Sequence, residues 1–255
     1  MSKAQFPGRI VVESTARKAA AFVADLVRSI ICQVVGDSGS CSVALVGGTT
    51  PHALYQQFAR SAVSDAVPWH ETDIYFGDER DVSHDHVDSN FHMAQRTLLD
   101  HIPVNPARVH PMPADCGDLE RAAARYEQLI RGNIPVGGGD IPRFDLILLG
   151  MGGDGHTASL FPFTDALDET ERLVVSHFIP VLGRERMTFT FPLINAARNI
   201  LLLVTGEDKA EAIAALVGDD EKARGKLPVS RVRPADGRLV MALDAAAARL
   251  ANLRA

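Results

Sequence analysis

The sequence predicts an α/β fold in which a doubly wound, mainly parallel sheet is flanked by helices. Strand-like apolar runs alternate with helix-like segments along the chain, and this alternation is typical of βαβ units. The most apolar run, residues 143–150, indicates a central strand that is covered on both faces. With 255 residues, 46% of them apolar, the chain can bury one large core and add a small lobe. We therefore expect residues 1–255 to form a single α/β domain.

The elements of the N-terminal half follow local start and stop signals. Ser14 or Thr15 is a suitable N-cap for a helix that continues to about Val35. Pro51 is well placed in the first turn of a second helix. The predicted order is strand 9–14, helix 15–35, strand 41–48, helix 50–63, strand 71–80, helix 88–102 with Asp88 or Ser89 as its cap, and an amphipathic helix 118–132 that Gly132 ends.

The C-terminal half continues the alternation after the glycine-rich loop 133–143 and the strand 143–150. Two runs with β-branched and aromatic residues, 172–178 and 186–192, are typical of strands. The last predicted elements are a strand at 199–206 that ends at a glycine, a helix at 207–218, and a strand followed by a helix within 238–250.

The composition restricts the function. The formal net charge is −6 and no Lys/Arg run offsets it, so we expect no nucleic-acid partner. Cys32, Cys41 and Cys116 are widely spaced without a C-x-x-C motif, which argues against a disulfide framework and a structural zinc site. Charged residues interrupt every apolar run before it reaches about 20 residues, and the N-terminus lacks a signal-peptide core. We therefore expect no membrane span and a cytoplasmic location.

Four predicted strands end at loops that carry glycine or charged residues. These loops are Val46–Thr50, Phe76–Arg80, Leu149–Gly152 and Val204–Gly206. In an open parallel sheet the carboxyl ends of the strands share one edge, and ligands bind in the crevice there. We therefore expect glycines, an acid pair, an Arg, a His and a Lys to converge at one site.

The loop at residues 47–50 has the composition of an anion site. Gly47 and Gly48 allow a ligand to approach the backbone, Thr49 and Thr50 add hydroxyl donors, and the following helix presents free N–H groups. An ordinary strand-to-helix turn with a threonine cap would explain the same residues. The loop lacks the lysine of a Walker motif, which argues against a nucleoside triphosphate.

The segment after the third strand is rich in charge and in histidine. Asp78 lies two residues before Arg80, which could form bidentate hydrogen bonds with a phosphate or a carboxylate. A surface salt-bridge cluster is the other interpretation of these charges. His84, His86 and His92 follow, and imidazole suits zinc or iron. Their spacing fits no standard metal signature, so we expect a solvated loop and no metal.

The loop that follows the central strand supports two functional interpretations. Gly150, Gly152 and Gly155 spell G-x-G-x-x-G, the outline of a dinucleotide-binding turn. However, this turn lies mid-chain, and Asp154 would oppose the charge of a pyrophosphate. The other interpretation is catalytic, because a histidine on a glycine loop suits general-base chemistry, and Asp154 could fix the tautomer of His156. A hydrogen-bonded structural histidine is the alternative to both.

Five segments together resemble the 6-phosphogluconolactonases, relatives of the glucosamine-6-phosphate deaminases. The segments LVGGTTP, FGDERDVSHDHVDSNF, GMGGDGHTASLFP, RMTFTFPLINAARN and VTGEDKA occur in family order over most of the chain. The resemblance implies a Rossmann-like, doubly wound fold. It also implies hydrolysis of 6-phospho-D-glucono-1,5-lactone to 6-phosphogluconate without a cofactor.

The resemblance also assigns roles by position. It implies that His156 is the general base that activates water and that Asp154 orients this base. Arg80 would hold a phosphate oxygen or the developing oxyanion. The remaining substrate and phosphate contacts would come from Gly47, Gly48, Thr49, Thr50, Asp78, Arg186 and Lys209. The implied partner is a phosphorylated sugar lactone, and we expect a monomer or a weak dimer.

The chain departs from the family pattern at three positions. Gly153 replaces a frequent proline, Thr49 replaces a frequent serine, and Phe163 stands where glycine is frequent. These changes affect the stiffness of the loops and leave the reactive groups in place.

Two other functions are compatible with the same fold. The deaminases carry a glutamate where this chain has Phe161 and a tyrosine where it has Arg80, so both positions favour the lactonase. A non-catalytic sugar-phosphate-binding module would need an output segment, and it would have no use for the pair of Asp154 and His156.

Overall fold

The computed structural model describes residues 6–48, 50–60, 66–114, 117–137, 140–251 and 253. The strands in these ranges are β1 (Arg9–Glu13), β2 (Cys41–Leu45), β3 (Thr72–Phe76), β4 (Asp78–Arg80), β5 (Val109–His110), β6 (Leu146–Leu149), β7 (Val174–Ile179), β8 (Arg184–Phe189), β9 (Asn199–Val204) and β10 (Arg238–Asp244). The α-helices are α1 (Ala16–Ser38), α2 (Thr50–Phe58), α3 (Asn90–Thr97), α4 (Leu119–Asn133), α5 (Phe191–Ala196), α6 (Ala210–Val217), α7 (Glu221–Arg224) and α8 (Ala245–Ala248).

The larger of two sheets has seven strands in the order β1-β10-β9-β6-β2-β3-β5. Every neighbouring pair in it is parallel. The predicted α/β class with a mainly parallel sheet is therefore confirmed. β6 is the middle strand and all its side chains are buried, as its continuous apolar run predicts.

The direction of winding reverses between β2 and β6. From β2 the sheet is built outward through β3 to β5, whereas from β6 it is built in the other direction through β9 to β10. In doubly wound sheets such a reversal opens a crevice at the carboxyl ends of the two strands. The loops after β2 and β6 leave the sheet at this crevice.

A second, three-stranded sheet has the order β4-β8-β7 with antiparallel pairing. The segment 71–80 was predicted as a strand that ends in a charged loop at Phe76–Arg80; it contains instead two strands, β3 and β4, which belong to different sheets. Gly77 lies between them, and its N–H donates to the carbonyl of Leu45 at 3.0 Å while its carbonyl accepts from the N–H of Phe189 at 2.8 Å.

The first helix begins and ends by specific caps. Thr15, one of the two predicted residues, is the N-cap, and its hydroxyl accepts from the N–H of Lys18 at 3.3 Å. The helix continues past the predicted end at Val35 to Ser38, where Gly39 adopts the left-handed conformation with φ of 82°.

Helix α1 is also long and apolar enough to cross a membrane, with 23 residues and a mean hydropathy of 1.6 in its most apolar window. Asp25 and Arg28 interrupt the apolar residues of this helix, so it contains no uninterrupted apolar run of such a length. The buried face of α1 carries small and β-branched residues, and the helix packs against α2, β2, β9 and β10. This one-sided burial is typical of an amphipathic core helix.

Other boundaries differ in detail from the predictions. Ser89 rather than Asp88 caps α3, since its hydroxyl accepts from the N–H of His92 at 3.1 Å. Helix α4 continues through Gly132 to Asn133, so the predicted stop at Gly132 is wrong. A glycine is tolerated there because the helical hydrogen bonds continue past it, and the N–H of Ile134 reaches the carbonyl of Ile130 at 2.8 Å.

Two further differences concern short or undescribed segments. The two-residue strand β5 was not predicted, because so short a strand has no detectable periodicity. The predicted end of the second helix, residues 61–63, lies outside the described residues.

Candidate active site

A cavity of about 390 Å³ opens at the carboxyl ends of β2 and β6, where the winding reverses. The loops after both strands line it, together with side chains of β4 and β8. Asp154 contacts His156 instead of lining the cavity, and Thr49 lies outside the described residues. The predicted site residues that line the cavity are Gly47, Gly48, Thr50, Asp78, Arg80, His156, Arg186 and Lys209.

The glycine loop after β2 is held by a tyrosine of the next helix. The hydroxyl of Tyr55 donates to the carbonyl of Val46 at 2.6 Å and accepts from its N–H at 3.1 Å. These two hydrogen bonds take the place of a neighbouring strand, so β2 ends here and the chain turns into α2. Helix α2 begins at Thr50, which lines the cavity with Pro51. Free N–H groups at such a helix start favour an anionic ligand.

Gly47 is required by a close contact below the loop. A Cβ at this position would lie 1.8 Å from Oδ1 and 2.1 Å from Cγ of Asn90, so a larger residue would displace the amide. Asn90 in turn donates from Nδ2 to the carbonyl of Asp78 at 2.9 Å and to its Oδ1 at 3.1 Å. The position of the loop is thus linked to that of Asp78.

Asp78 is an almost fully buried acid on the cavity wall. It is 8% exposed, and its Oδ2 accepts from the hydroxyl of Ser159 at 2.8 Å. The N–H of Ser159 donates to the hydroxyl oxygen of Thr188 at 3.1 Å. These bonds hold the loop after β6 against β4 and β8, which brings both sheets to the same cavity.

The loop after β6 folds back on itself through a tight turn. The N–H of Gly152 donates to the carbonyl of His156 at 2.9 Å, and the N–H of Gly155 donates to the carbonyl of Gly152 at 3.0 Å. Gly155 has a φ of +79°, and a Cβ there would lie 2.7 Å from the side chain of Leu227. The turn therefore depends on glycine at this position, and it brings Asp154 next to His156.

Asp154 and His156 form a short, well-aligned pair. The Oδ1 atom of Asp154 lies 2.6 Å from Nδ1 of His156 and accepts from the N–H of His156 at 3.1 Å. Partial burial by itself raises the pKa of Asp154. The hydrogen bonds from the ring and the backbone of His156, together with the charge of that ring, lower the pKa by more than burial raises it. The pKa of Asp154 therefore lies below its usual range. An ionised carboxylate accepts only, so Nδ1 carries the proton and Nε2 of the neutral ring has the free lone pair.

An aromatic ring covers the imidazole. The ring of Phe161 stacks on that of His156 with centroids 3.9 Å apart and an interplanar angle of 16°. Phe161 is 8% exposed and also lines the cavity.

Two arginines lie opposite each other on the cavity wall. Arg80 of β4 and Arg186 of β8 are direct cross-strand partners, although like charges in this position repel. Burial lowers the pKa of Arg186, and the neighbouring charge of Arg80 lowers it further. The guanidinium of Arg80 also donates to the carbonyl of Asp88. A ligand with negative charge would relieve the repulsion between the two cations.

Lys209 adds a third cation from the loop after β9. It lines the cavity, and its Nζ atom lies 2.8 Å from Oδ2 of the exposed Asp208. The predicted convergence of cations from separate strand ends is therefore present in the structure.

Glu79 has a structural position that the sequence did not indicate. It is fully buried, and its carboxylate accepts from the N–H groups of Arg80, Asn90 and Phe91 at 2.7–2.9 Å and from the hydroxyl of Ser89 at 3.0 Å. Burial raises the pKa of Glu79, and the backbone donors offset part of this increase. The carboxylate thus holds the start of α3 against β4.

Several of these residues were not predicted. Asn90 lies at the start of α3, whereas Ser159 and Phe161 lie in the same loop after β6 as His156, and all three contact predicted site residues. The strand-end rule points to the loop after β6, but it does not show which of its side chains meet Asp78 or the imidazole, because this depends on how the loop folds.

The histidines after β4 do not converge. Nε2 of His84 lies 2.7 Å from the carbonyl oxygen of Met112, whereas Nδ1 of His86 accepts from the N–H of Asp88 at 3.0 Å. Within the described ranges, no group of three or more His, Cys, Asp and Glu side chains could hold a metal ion.

Comparison with known proteins places this arrangement in a family. The model of the glucosamine-6-phosphate isomerases/6-phosphogluconolactonase family matches residues 14–241. The 6-phosphogluconolactonase of Synechocystis is 40% identical over 233 residues, which cover 89% of this chain and 93% of the relative. The structure of the 6-phosphogluconolactonase from Trypanosoma brucei superposes with a TM-score of 0.85 at 28% identity, covering 96% of this chain and 98% of the other.

The fold alone does not separate the activities within this group. A monomeric glucosamine-6-phosphate deaminase superposes with a TM-score of 0.76 at 23% identity, covering 95% of this chain and 99% of its own. The extent of the family match and the identity to the cyanobacterial relative determine the assignment. The chain belongs to the glucosamine-6-phosphate isomerases/6-phosphogluconolactonase family.

Proposed function

We propose that this protein is a 6-phosphogluconolactonase, which hydrolyses 6-phospho-D-glucono-1,5-lactone to 6-phospho-D-gluconate in the second step of the oxidative pentose phosphate pathway. The observation that carries this proposal is the Asp154–His156 pair, whose histidine lines a cavity that three cations also line. Relatives that cover most of the chain bear this enzyme's name, including the one from Synechocystis.

His156 acts as the general base in this mechanism. Nε2 accepts a proton from water as the water oxygen attacks C1 of the lactone, and Asp154 stabilises the imidazolium that forms. The tetrahedral intermediate then collapses, the bond between C1 and the ring oxygen breaks, and Nε2 returns the proton to this oxygen. The product is the open-chain acid, and the histidine is regenerated.

Arg80 stabilises the negative charge on the carbonyl oxygen or holds a phosphate oxygen. The rest of the cationic wall and the glycine loop hold the phosphate. The proposed phosphate contacts are the backbone of Gly47 and Gly48, the start of α2 at Thr50, and the side chains of Arg186 and Lys209, with Thr49 as a further predicted contact.

The activation barrier for lactone hydrolysis is low enough for general-base catalysis. A six-membered lactone is an activated ester, so the reaction requires neither a metal nor a covalent intermediate. A general base supplies about 10²- to 10⁴-fold acceleration, and binding of the phosphate positions the carbonyl against the water.

We further propose that the protein works as a monomer in the cytoplasm. The described cysteines, Cys32 and Cys41, are free thiols, as is usual in a reducing compartment.

The activity test compares two substrates and one variant. We expect the purified protein to accelerate proton release from freshly prepared 6-phosphogluconolactone and to release no ammonia from glucosamine 6-phosphate. The variant His156→Ala should lose measurable lactonase activity while its circular dichroism stays unchanged. His70→Ala is the matched control, because His70 is exposed and does not line the cavity.

Two results would contradict the proposal. Ammonia release without acceleration of lactone opening would assign the protein to the deaminases. Near-normal turnover of the lactone by His156→Ala would remove the histidine from the mechanism.

A further inference from the structure

Phe161 stacks on the proposed catalytic base at the edge of the cavity. Phe161 is 8% exposed and lines the cavity, whereas the preceding Leu160 is fully buried. The ring of Phe161 stacks on the imidazole of His156 with centroids 3.9 Å apart and planes inclined by 16°. The phenyl ring thus contacts both the imidazole and the cavity in which the substrate would bind.

The backbone around Phe161 is tied to the end of β6. The carbonyl of Phe161 accepts from the hydroxyl of Thr164 at 2.8 Å, and the N–H of Leu160 donates to the carbonyl of Thr157 at 2.9 Å. The hydroxyl of Thr157 donates to the carbonyl of Gly150 at 2.8 Å. The segment that carries the phenyl ring is thereby held to the loop that carries the histidine.

The hydrogen bond to Asp154 does not fix the imidazole by itself. It holds Nδ1 within 2.6 Å of the carboxylate, but the plane of the ring can still tilt about this contact. A parallel aromatic ring opposes such a tilt, because tilting separates the two faces and loses their contact. The two contacts together determine where Nε2 points.

We propose that Phe161 is a positioning residue for His156: its ring fixes the plane of the imidazole and so aims Nε2 at the substrate. This role rests on the lactonase function proposed above. Phe161 also excludes water from the face of the imidazole that it covers, so that the activated water is confined to the cavity side.

The kinetic test separates positioning from substrate binding. The variant Phe161→Leu keeps an apolar side chain and loses the stacked face. We expect its kcat to fall about 10- to 100-fold, because small misplacement of a reacting group is costly, with little change in KM. Phe161→Tyr preserves the ring and should recover most of kcat. The control is Phe163→Leu, since Phe163 is 92% exposed.

A second measurement does not depend on activity. The NMR order parameter of the ring C–H groups of His156 should fall in Phe161→Leu and return in Phe161→Tyr, both without substrate. Phe161→Met serves the same comparison if the leucine variant does not fold. An unchanged order parameter, or a kcat for Phe161→Leu equal to that of the wild type, would overturn the proposal. If the wild type lacks lactonase activity but the order parameter falls as expected, the proposed function fails and the positional restraint stands.

Discussion

The tautomer and the orientation of His156 depend on two neighbouring side chains. Asp154 determines which nitrogen carries the proton, and Phe161 covers a face of the ring. The sequence identified the first neighbour because it lies two residues away. It did not identify the stacking, although Phe161 lies in the same motif, because the turn between them decides whether the rings meet.

Asp154→Asn tests the tautomer argument at this scale. An asparagine can donate its NH₂ group to Nδ1, which would place the ring proton on Nε2 and remove the base. We expect kcat to fall about 10²-fold, less than in a fully buried triad because the carboxylate is half-exposed, while KM stays the same. Steady-state kinetics on the lactone measure both constants, and a kcat close to that of the wild type would exclude a role for Asp154 in orienting the base.

At the scale of elements, the loops at the strand ends are shaped by contacts from other elements. The glycine loop after β2 is held by Tyr55 of α2 and lies on Asn90 of α3. Phe163, in contrast, has its ring in solvent. It occupies a position where the family pattern favours glycine, and its backbone adopts a left-handed φ of 64°. Such a conformation is strained for an aromatic residue.

Gly47→Ala tests the link between the glycine loop and the site. The added methyl group would displace the amide of Asn90, so we expect a loss of about 1–3 kcal/mol in the free energy of unfolding and a higher KM for the lactone. Gly36→Ala is the matched control, because a Cβ there meets nothing within 4 Å and Gly36 lies inside α1. This control should stabilise the protein by about 0.5–1 kcal/mol and leave KM unchanged. Equal effects of the two substitutions in denaturant unfolding and in KM would refute the close contact.

At the scale of the whole molecule, the charge of the chain and the charge of the site have opposite signs. The net charge of −6 does not attract an anionic substrate, whereas Arg80, Arg186 and Lys209 meet at one cavity. Both sheets contribute to the positive potential in the cavity. β4 and β8, which carry the two arginines, belong to the small sheet, whereas the glycine loops follow strands of the large sheet.

Arg186→Gln tests whether this cationic cluster binds the substrate. We expect KM to rise roughly 10- to 100-fold, because a hydrogen bond to a charged group is worth about 1.5–3 kcal/mol. The stability of the substrate-free protein should not fall, since the substitution removes the repulsion from Arg80. Arg184→Gln on the same strand is the control: Arg184 is exposed, lies opposite Ile179 and does not line the cavity. A KM that is the same for both variants would remove Arg186 from the binding site.

The class of fold, the central position of β6 and most of the cavity-lining loops could be predicted from the sequence. These features are local, because periodicity, helix caps and glycine turns depend on residues that are close together in the sequence. Parallel strands then bring the loops at their carboxyl ends to one edge of the sheet. The folded structure was needed to show that β3 and β4 lie in different sheets on either side of Gly77, that Arg186 faces Arg80, and that Ser159 holds Asp78 across 81 residues of sequence. The register in which strands pair, and the contacts between side chains that are distant in sequence, depend on how whole elements pack. They cannot be predicted from a local sequence pattern.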